Sequence, residues 1–283
     1  MPETGDKVSG KAEAVDAMFG REALEAAINT NWAGKYICYF KELDSTNLRA
    51  KQEAEGGAAE GTLVAADAQT AGRGRRGRSW SSPAGVNVYF TLILKPDFRP
   101  EKAAMITLVM ALAVTGGIFR TCGLEAGIKW PNDVVVNGRK VCGILTEMSV
   151  EQGRIRYVVA GVGVNVGLQE FPPEIASTAS CLEAECKGPV SRTALVANIL
   201  KAFEGYYESF CRELSLSGIR EQYNRCLVNR GRVVRVLDPK GEYQGTARGI
   251  NERGELLVER EDGSITEVYA GEVSVRGIYG YTV

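Results

Sequence analysis

The sequence predicts an α+β protein, a mostly antiparallel sheet with flanking helices followed by a small all-β barrel module. Three observations lead there. Strand-length apolar runs recur as far as residue 165, and two pairs are joined by the short turns NGRK (137–140) and EQGR (151–154). Turns that short join antiparallel neighbours. Residues 101–121 and 191–210 instead carry apolar residues at helical spacing. From about residue 231 the texture changes to short strands separated by Pro-Lys-Gly, Glu-Arg-Gly and Asp-Gly, the pattern of a small β-barrel. The expected domains are a flexible lead-in over 1–20, a large domain over 21–228 and the β module over 229–283.

Taken in order, REALEAAINT (21–30) has helical spacing of Leu24, Ala27 and Ile28. YICYF (36–40) reads as a strand ending in KELDSTN, where Asp44, Ser45 and Thr46 can each cap the helix NLRAKQEAE. TLVAADAQ (62–69) is a strand that runs into an arginine-rich loop, and NVYFTLIL (87–94) is another. The 101–121 helix places Ala104, Leu108, Ala111, Leu112 and Thr115 on one face. IKWPNDVVV (128–136) is a strand interrupted by Pro131, and KVCGILTEMSV and RIRYVVAGVGVNV are two more. Residues 167–180 hold two prolines and little periodicity, a long loop of the kind that often serves as a lid. Ser191 caps the last clear helix.

Composition removes several function classes. The 283 residues carry a net charge of −1, so any basic site is local and a dedicated duplex-binding surface is not expected. Seven scattered cysteines without a CxxC argue against a disulfide framework or structural zinc, and no membrane span is evident; the expected setting is the reducing cytoplasm. There is no histidine, which excludes Ser-His-Asp and Cys-His nucleophiles and His-based metal sites. Lysine, arginine, carboxylates, hydroxyls and amides remain as tools.

GRGRRGRS (72–79) sets four arginines and three glycines in eight positions. Glycines let backbone approach a ligand, and arginines offer fixed donors to carboxylate and phosphate oxygens. The run matches the dinucleotide pattern GxGxxG and nearly matches a Walker loop. Both require a helix directly afterwards, and RSWSSPAG with Pro83 and Gly85 does not supply one. A solvated hairpin is the plain alternative. KWPNDV (129–134) sets Lys129 beside a strand-breaking proline, either a surface bulge or a charge aimed into a cleft. Ser45, Thr46 and Asn47 are helix caps or ligand-binding polar groups. GILTE and GVGVN place glycines in strands where bulk is unwelcome, and Trp80 and Trp130 read first as core residues.

The order DSTN, Q-x-A-G-R-G-R-R-G-R-x-W, K-W-P-N-D, K-V-C-G-I-L-x-E, G-V-G-V-N-V and a terminal β module resembles that of biotin protein ligases over about residues 21–277. The resemblance implies a catalytic domain like those of class II synthetases and lipoate ligases, then an SH3-like β domain. It implies a ligase that couples biotin to ATP as biotinyl-5′-AMP, releases pyrophosphate, and transfers biotin to one lysine of a biotin carboxyl carrier domain. It places biotin on Ser45, Thr46, Asn47, Gln69, Arg73, Gly74, Arg75, Lys129 and Gly143. It places ATP and the adenylate on Arg73, Arg75, Arg76, Arg78, Trp80, Asn132 and Asn165, with Lys129, Arg75 and Arg73 catalytic. Mg²⁺ is expected on the polyphosphate, with no protein metal ligand assigned. Some members carry an N-terminal winged helix; only about forty residues precede DSTN here, so no direct DNA binding is expected. A homodimer is possible. A lipoate or octanoate ligase, and a biotin-sensing nucleic-acid binder, are the competing readings.

Overall fold

A computed structural model describes residues 19–237, 241–269 and 274–277. The chain forms a seven-stranded sheet and a five-stranded sheet. The first contains β1 (Tyr36–Leu43), β2 (Thr62–Gln69), β3 (Val88–Leu94), β4 (Gly127–Lys129), β5 (Asp133–Val136), β6 (Arg139–Glu151) and β7 (Arg154–Val164). Its order is β1-β2-β3-β7-β6-β5-β4. All neighbours are antiparallel except β1 and β2, whose connection runs through helix α2 (Thr46–Glu55) and leaves them parallel. A crossover helix is what a parallel pair requires.

The two hairpin turns form as expected. Asn137 and Gly138 both take positive φ, as do Gln152 and Gly153, matching the right-handed twist of the paired strands. The strand expected over 128–136 is in fact a third hairpin. Pro131 cannot continue the ladder, so the chain reverses at 130–132, with a cis Trp130–Pro131 bond, and Lys129 pairs with Asp133.

Strand alternation builds two cores. Leu63 and Ala65 of β2, Leu92 and Leu94 of β3, and Val158, Ala160 and Val162 of β7 face one side of the sheet. There they pack against α3 (Ala104–Cys122) and α5 (Arg192–Glu213). The intervening Val64, Ile93, Tyr157 and Val159 face the other side, under Ala50 and Ala54 of α2. Each fully buried Leu, Ile or Val contributes about 1.5–3 kcal/mol. All seven residues of β3 are buried because it is central and covered on both faces. α3 is long and apolar enough to cross a membrane by composition, yet 72% of that stretch is buried between sheet and helix, the environment of a core helix.

α1 (Arg21–Ala27) is shorter than its spacing suggests, and Ile28 lies past its end. Residues 1–18 of the expected lead-in lie outside the described residues. Phe19 is no part of a flexible segment: it is buried, edge-on to Tyr39 and beneath the Arg192 guanidinium. Two helices escaped the sequence reading, α4 (Leu182–Cys186) and α6 (Ser217–Cys226). α4 is barely more than a turn. α6 is polar, with Ile219 and Tyr223 as its buried residues. Ser191 does cap α5, accepting from the Ala194 backbone.

The second sheet is antiparallel, in the order β11-β10-β9-β8-β12. Its strands are β8 (Val233–Leu237), β9 (Tyr243–Ile250), β10 (Leu256–Glu259), β11 (Ile265–Val268) and β12 (Ser274–Gly277). Trp130 fastens it to the first. The buried indole Nε1 donates to the Gly254 carbonyl at 3.1 Å, and the Trp130 backbone N–H donates to Asn229 Oδ1 at 2.9 Å. Trp130 is core, as its residue type suggested. None of the seven cysteines is in a disulfide.

Candidate active site

The α2 face of the sheet opens into a cleft where its side chains vanish. Past Ile93 and Val159 the same face carries Gly161 and Gly163 on β7, opposite Leu145 and Gly143 on β6. Each glycine makes room for a specific neighbour. A Cβ on Gly161 would lie 2.0 Å from Asn47 Oδ1, and one on Gly163 would lie 2.5 Å from Trp80 Nε1. On Gly143 it would meet the far edge of the Trp80 ring at 2.9 Å. The resulting cleft has a volume of about 390 Å³, within the range of small-molecule sites.

The STN residues form its inner end. Ser45, Thr46 and Asn47 are all buried and line the cleft. Their side chains do not cap α2: no side-chain cap is made at Ser45. Gln69, at the end of β2, does it instead, its Oε1 accepting from the Thr46 backbone N–H at 2.8 Å. The Gln69 amide nitrogen donates to Ser82 Oγ at 2.9 Å, and Ser82 donates to the Trp80 carbonyl. The start of α2 is thereby tied to both ends of the arginine loop.

That loop is a hairpin. Gly72 accepts from Trp80, Arg73 bridges Ser79, and Gly74 donates to the Arg78 carbonyl. Its tip is a 3₁₀ turn over Arg75–Gly77, with Arg76 left-handed at φ 58°. No helix follows it, which removes the dinucleotide and Walker readings. Arg73, Arg76 and Arg78 are exposed while Arg75 folds inward and donates to Asn132 Oδ1 at 2.9 Å. Burial lowers the Arg75 guanidinium from its ordinary value, and Arg76 and Arg78 push the same way against the attraction of Asp133. An anion entering the cleft would relieve that crowding.

The 130–132 turn forms the opposite wall. Lys129 is only 7% exposed and lines the cleft, as do Asn132 and Asp133. Asn132 is held by its own donations to Asp133 and to the Ile144 carbonyl. Lys140 pairs with Asp133 at 2.6 Å, and its ammonium lies 5.2 Å from the Trp80 ring centroid. The Trp80 indole N–H is buried without a hydrogen-bond partner among the described residues.

Fourteen positions were singled out from sequence as ligand contacts, and their placement is uneven in one respect. Ser45, Thr46, Asn47, Gln69, Arg73, Gly74, Arg75, Arg76, Arg78, Trp80, Lys129, Asn132 and Gly143 all line this one cleft. Asn165 does not: its amide donates to the Ser180 carbonyl at 3.0 Å, and it anchors the return of the 167–180 loop. That loop does not reach the cleft either. Its end is stitched to β6 by the Lys140 and Ser180 backbones, which gives no support to a lid over the ligand. Lys140 and Asp133 lie inside the quoted motifs yet went unassigned. Thr91 and Lys51 lie outside every motif, and no local pattern marks them.

The side chains that line the cleft suit anions. A carboxylate attacking a phosphate brings two negative groups together, and preset positive charge offsets their repulsion. Arg73, Arg75, Arg76 and Lys129 converge on one space without a nucleophile or a base among them. The fold and the site thus define an acid-activating ligase. Residues 39–165 match the Biotin/lipoate A/B protein ligase family, and residues 231–276 match the Biotin protein ligase C terminal domain. The chain belongs to the biotin protein ligase family. It is 36% identical over 271 residues to the bifunctional ligase/repressor BirA of Bacillus subtilis, covering 95% of this chain and 81% of that one. It is 30% identical to the biotin–[acetyl-CoA-carboxylase] ligase of Mycobacterium tuberculosis, covering 89% of this chain and 94% of that one. The biotin protein ligase of Aquifex aeolicus, solved in complex with biotin and ATP, superposes with a TM-score of 0.74 at 30% identity. That match covers 86% of this chain and 99% of the Aquifex chain.

Proposed function

We propose that this protein activates biotin with ATP and transfers it to a lysine of a biotin carboxyl carrier domain. The observation that carries this reading is the convergence of Lys129 and the arginine hairpin on the same cleft as the buried Ser45–Thr46–Asn47 and Gln69 set. One end suits a compact, largely apolar acid with a few hydrogen-bonding groups. The other suits polyphosphate.

In the first step a biotin carboxylate oxygen attacks the α-phosphorus of ATP. A mixed anhydride forms and pyrophosphate leaves. Lys129 and Arg75 sit where they can neutralise the attacking carboxylate and the charge growing on phosphorus. In the second step the neutral amine of the acceptor lysine attacks the anhydride carbonyl. An amide forms, AMP leaves with the bond electrons, and the amine nitrogen gives up one proton to solvent. Arg73, Arg76 and Arg78 on the exposed hairpin hold the adenylate against diffusion and hydrolysis until then.

Among the described residues no group of three metal-ligating side chains gathers, and Asp133 is engaged by Lys140. We read Mg²⁺ as entering with the ATP polyphosphate, as part of the substrate, where it would offset phosphate charge. Trp80 presents a ring to the cleft for the adenylate. We place this chemistry in the cytoplasm, which keeps thiols reduced and supplies ATP.

A lipoate ligase would share the adenylation step, and the named relatives favour biotin. DNA binding is the second reading, favoured by the word repressor in the name of the Bacillus relative. The test is pyrophosphate release from Mg-ATP with biotin, lipoate or octanoate, followed by addition of a carrier domain. Release and labelling with biotin are expected. Release only with another acid would correct the substrate, and no release with any acid would overturn the reading.

A further inference from the structure

A chain of hydrogen bonds runs from a surface ion pair to the hydroxyl of Thr46, and its polarity is fixed at one end. Lys51 on α2 pairs with Glu147 Oε1 on β6 at 2.6 Å. The other carboxylate oxygen accepts from Asn47 Nδ2 at 2.9 Å. The second hydrogen of that amide goes to the Leu145 carbonyl at 3.1 Å. Both acceptors lack hydrogens of their own, so the Asn47 amide can point only one way.

Its oxygen then faces Thr91 on β3, 2.7 Å away. Thr91 has a single hydroxyl hydrogen, and Asn47 Oδ1 can only accept, so Asn47 takes it. The Thr91 and Thr46 hydroxyl oxygens lie 2.9 Å apart, which leaves Thr91 as the acceptor of that pair. Gln69 Oε1, 3.2 Å from the Thr46 hydroxyl, is also an acceptor. The Thr46 hydrogen is thus drawn inward to one of two protein acceptors, and only its lone pairs face the cleft.

We infer that Glu147 and Lys51 are positioning residues that lock Thr46 as a hydrogen-bond acceptor, so that this end of the cleft selects an acid carrying an N–H donor. The inference rests on the proposed biotin-ligase reading, since the ureido ring of biotin supplies such donors. An aliphatic or dithiolane acid has none. Selection of this kind is sharp, because a buried polar group left unpaired by the wrong ligand is penalised. Neither Glu147 nor Lys51 needs to touch the ligand.

The test is steady-state pyrophosphate release by wild type, Glu147→Ala, Glu147→Gln, the near-isosteric Thr91→Val, and the Glu147→Ala/Thr91→Val double variant. Both single removals are expected to raise the biotin KM roughly tenfold, with kcat and the ATP KM changed less than about twofold, the signature of lost uniform binding. Glu147→Gln offers a single acceptor oxygen to two donors, Lys51 and Asn47, and is expected to give a biotin KM between those of wild type and Glu147→Ala. The double variant is expected to match the singles rather than multiply them, because both break one chain. An unchanged biotin KM in both single variants would overturn the inference. So would a loss shared among the biotin KM, the ATP KM and kcat, or multiplicative effects in the double variant. If Glu147→Ala does not fold, Thr91→Val decides alone. Wild type inactive with biotin but active with another acid would overturn the function itself, and this inference with it.

Discussion

Gly163 and Trp80 share a space that only a missing side chain permits: a Cβ at Gly163 would lie 2.5 Å from the indole nitrogen. The indole lies over two glycines, Gly143 and Gly163, which face each other across β6 and β7. Gly163→Ala must move the ring, and overpacking of this kind costs about 1–3 kcal/mol. The expected result is a shifted tryptophan emission and a rise in the ATP KM of tenfold or more. An ATP KM within twofold of wild type would show that Trp80 takes no part in holding the nucleotide.

Lys129 is a buried cation on the cleft wall. Lys129→Ala is expected to reduce adenylate formation by a hundredfold or more, since it removes a charge-assisted contact to the reacting anions. The variant should still fold, which circular dichroism can check. Wild-type rates of pyrophosphate release would remove Lys129 from the mechanism.

Arg75 turns away from solvent to Asn132, joining the hairpin tip to the 130–132 turn. Arg75→Ala is expected to slow adenylate formation at least tenfold and also to release biotinyl-AMP into solution several-fold faster, since the same guanidinium faces the reacting anions and anchors the hairpin tip. Asn132→Ala is expected to do the same more weakly, because it frees the tip without deleting the charge. Trapping free adenylate during single turnover measures both.

Glu204 on α5 receives three backbone N–H groups, from Asn31 and Trp32 at 2.7 Å and from Ala33 at 3.3 Å. Burial pushes its carboxyl up, but these donors outweigh burial and, with Lys201, hold it below the ordinary glutamate value. The folded state therefore binds fewer protons than the unfolded state in that acid window. Stability is complete above the unfolded value, about 4.3, and drains as pH falls through the lowered folded value. Glu204→Gln is expected to lower stability at neutral pH and to flatten the acid limb, measured by urea unfolding across pH. An equally steep acid limb in the variant would place the titrating group elsewhere.

Much of this was legible locally. Asn137-Gly138 announced its hairpin because only residues tolerant of positive φ close so short a turn. The arginine hairpin was legible as a candidate anion site from its composition, and Pro83 and Gly85 correctly denied it a following helix. The 130–132 reversal was misjudged as an interrupted strand, because a proline breaks a ladder without saying where the chain goes next. The capping of α2 was misjudged for a similar reason. Ser45 and Thr46 have the right chemistry for caps, but Gln69 arrives from a neighbouring strand and takes the N–H first. Asn165 sat in a motif beside residues that line the cleft, yet it lies just past the end of β7 and its amide serves the 180 region.

The sequence by itself determined the type of most elements, the tool set without histidine, and the motifs that gather at the cleft, because these depend on residue chemistry and short-range spacing. Only the tertiary structure decided that Gly143, Gly161 and Gly163 pave one floor, that Thr91 completes the Asn47–Thr46 chain, and that Trp130 ties the two sheets together. Those relationships join residues tens of positions apart. Strand register and sheet order bring them together, and no local pattern encodes either.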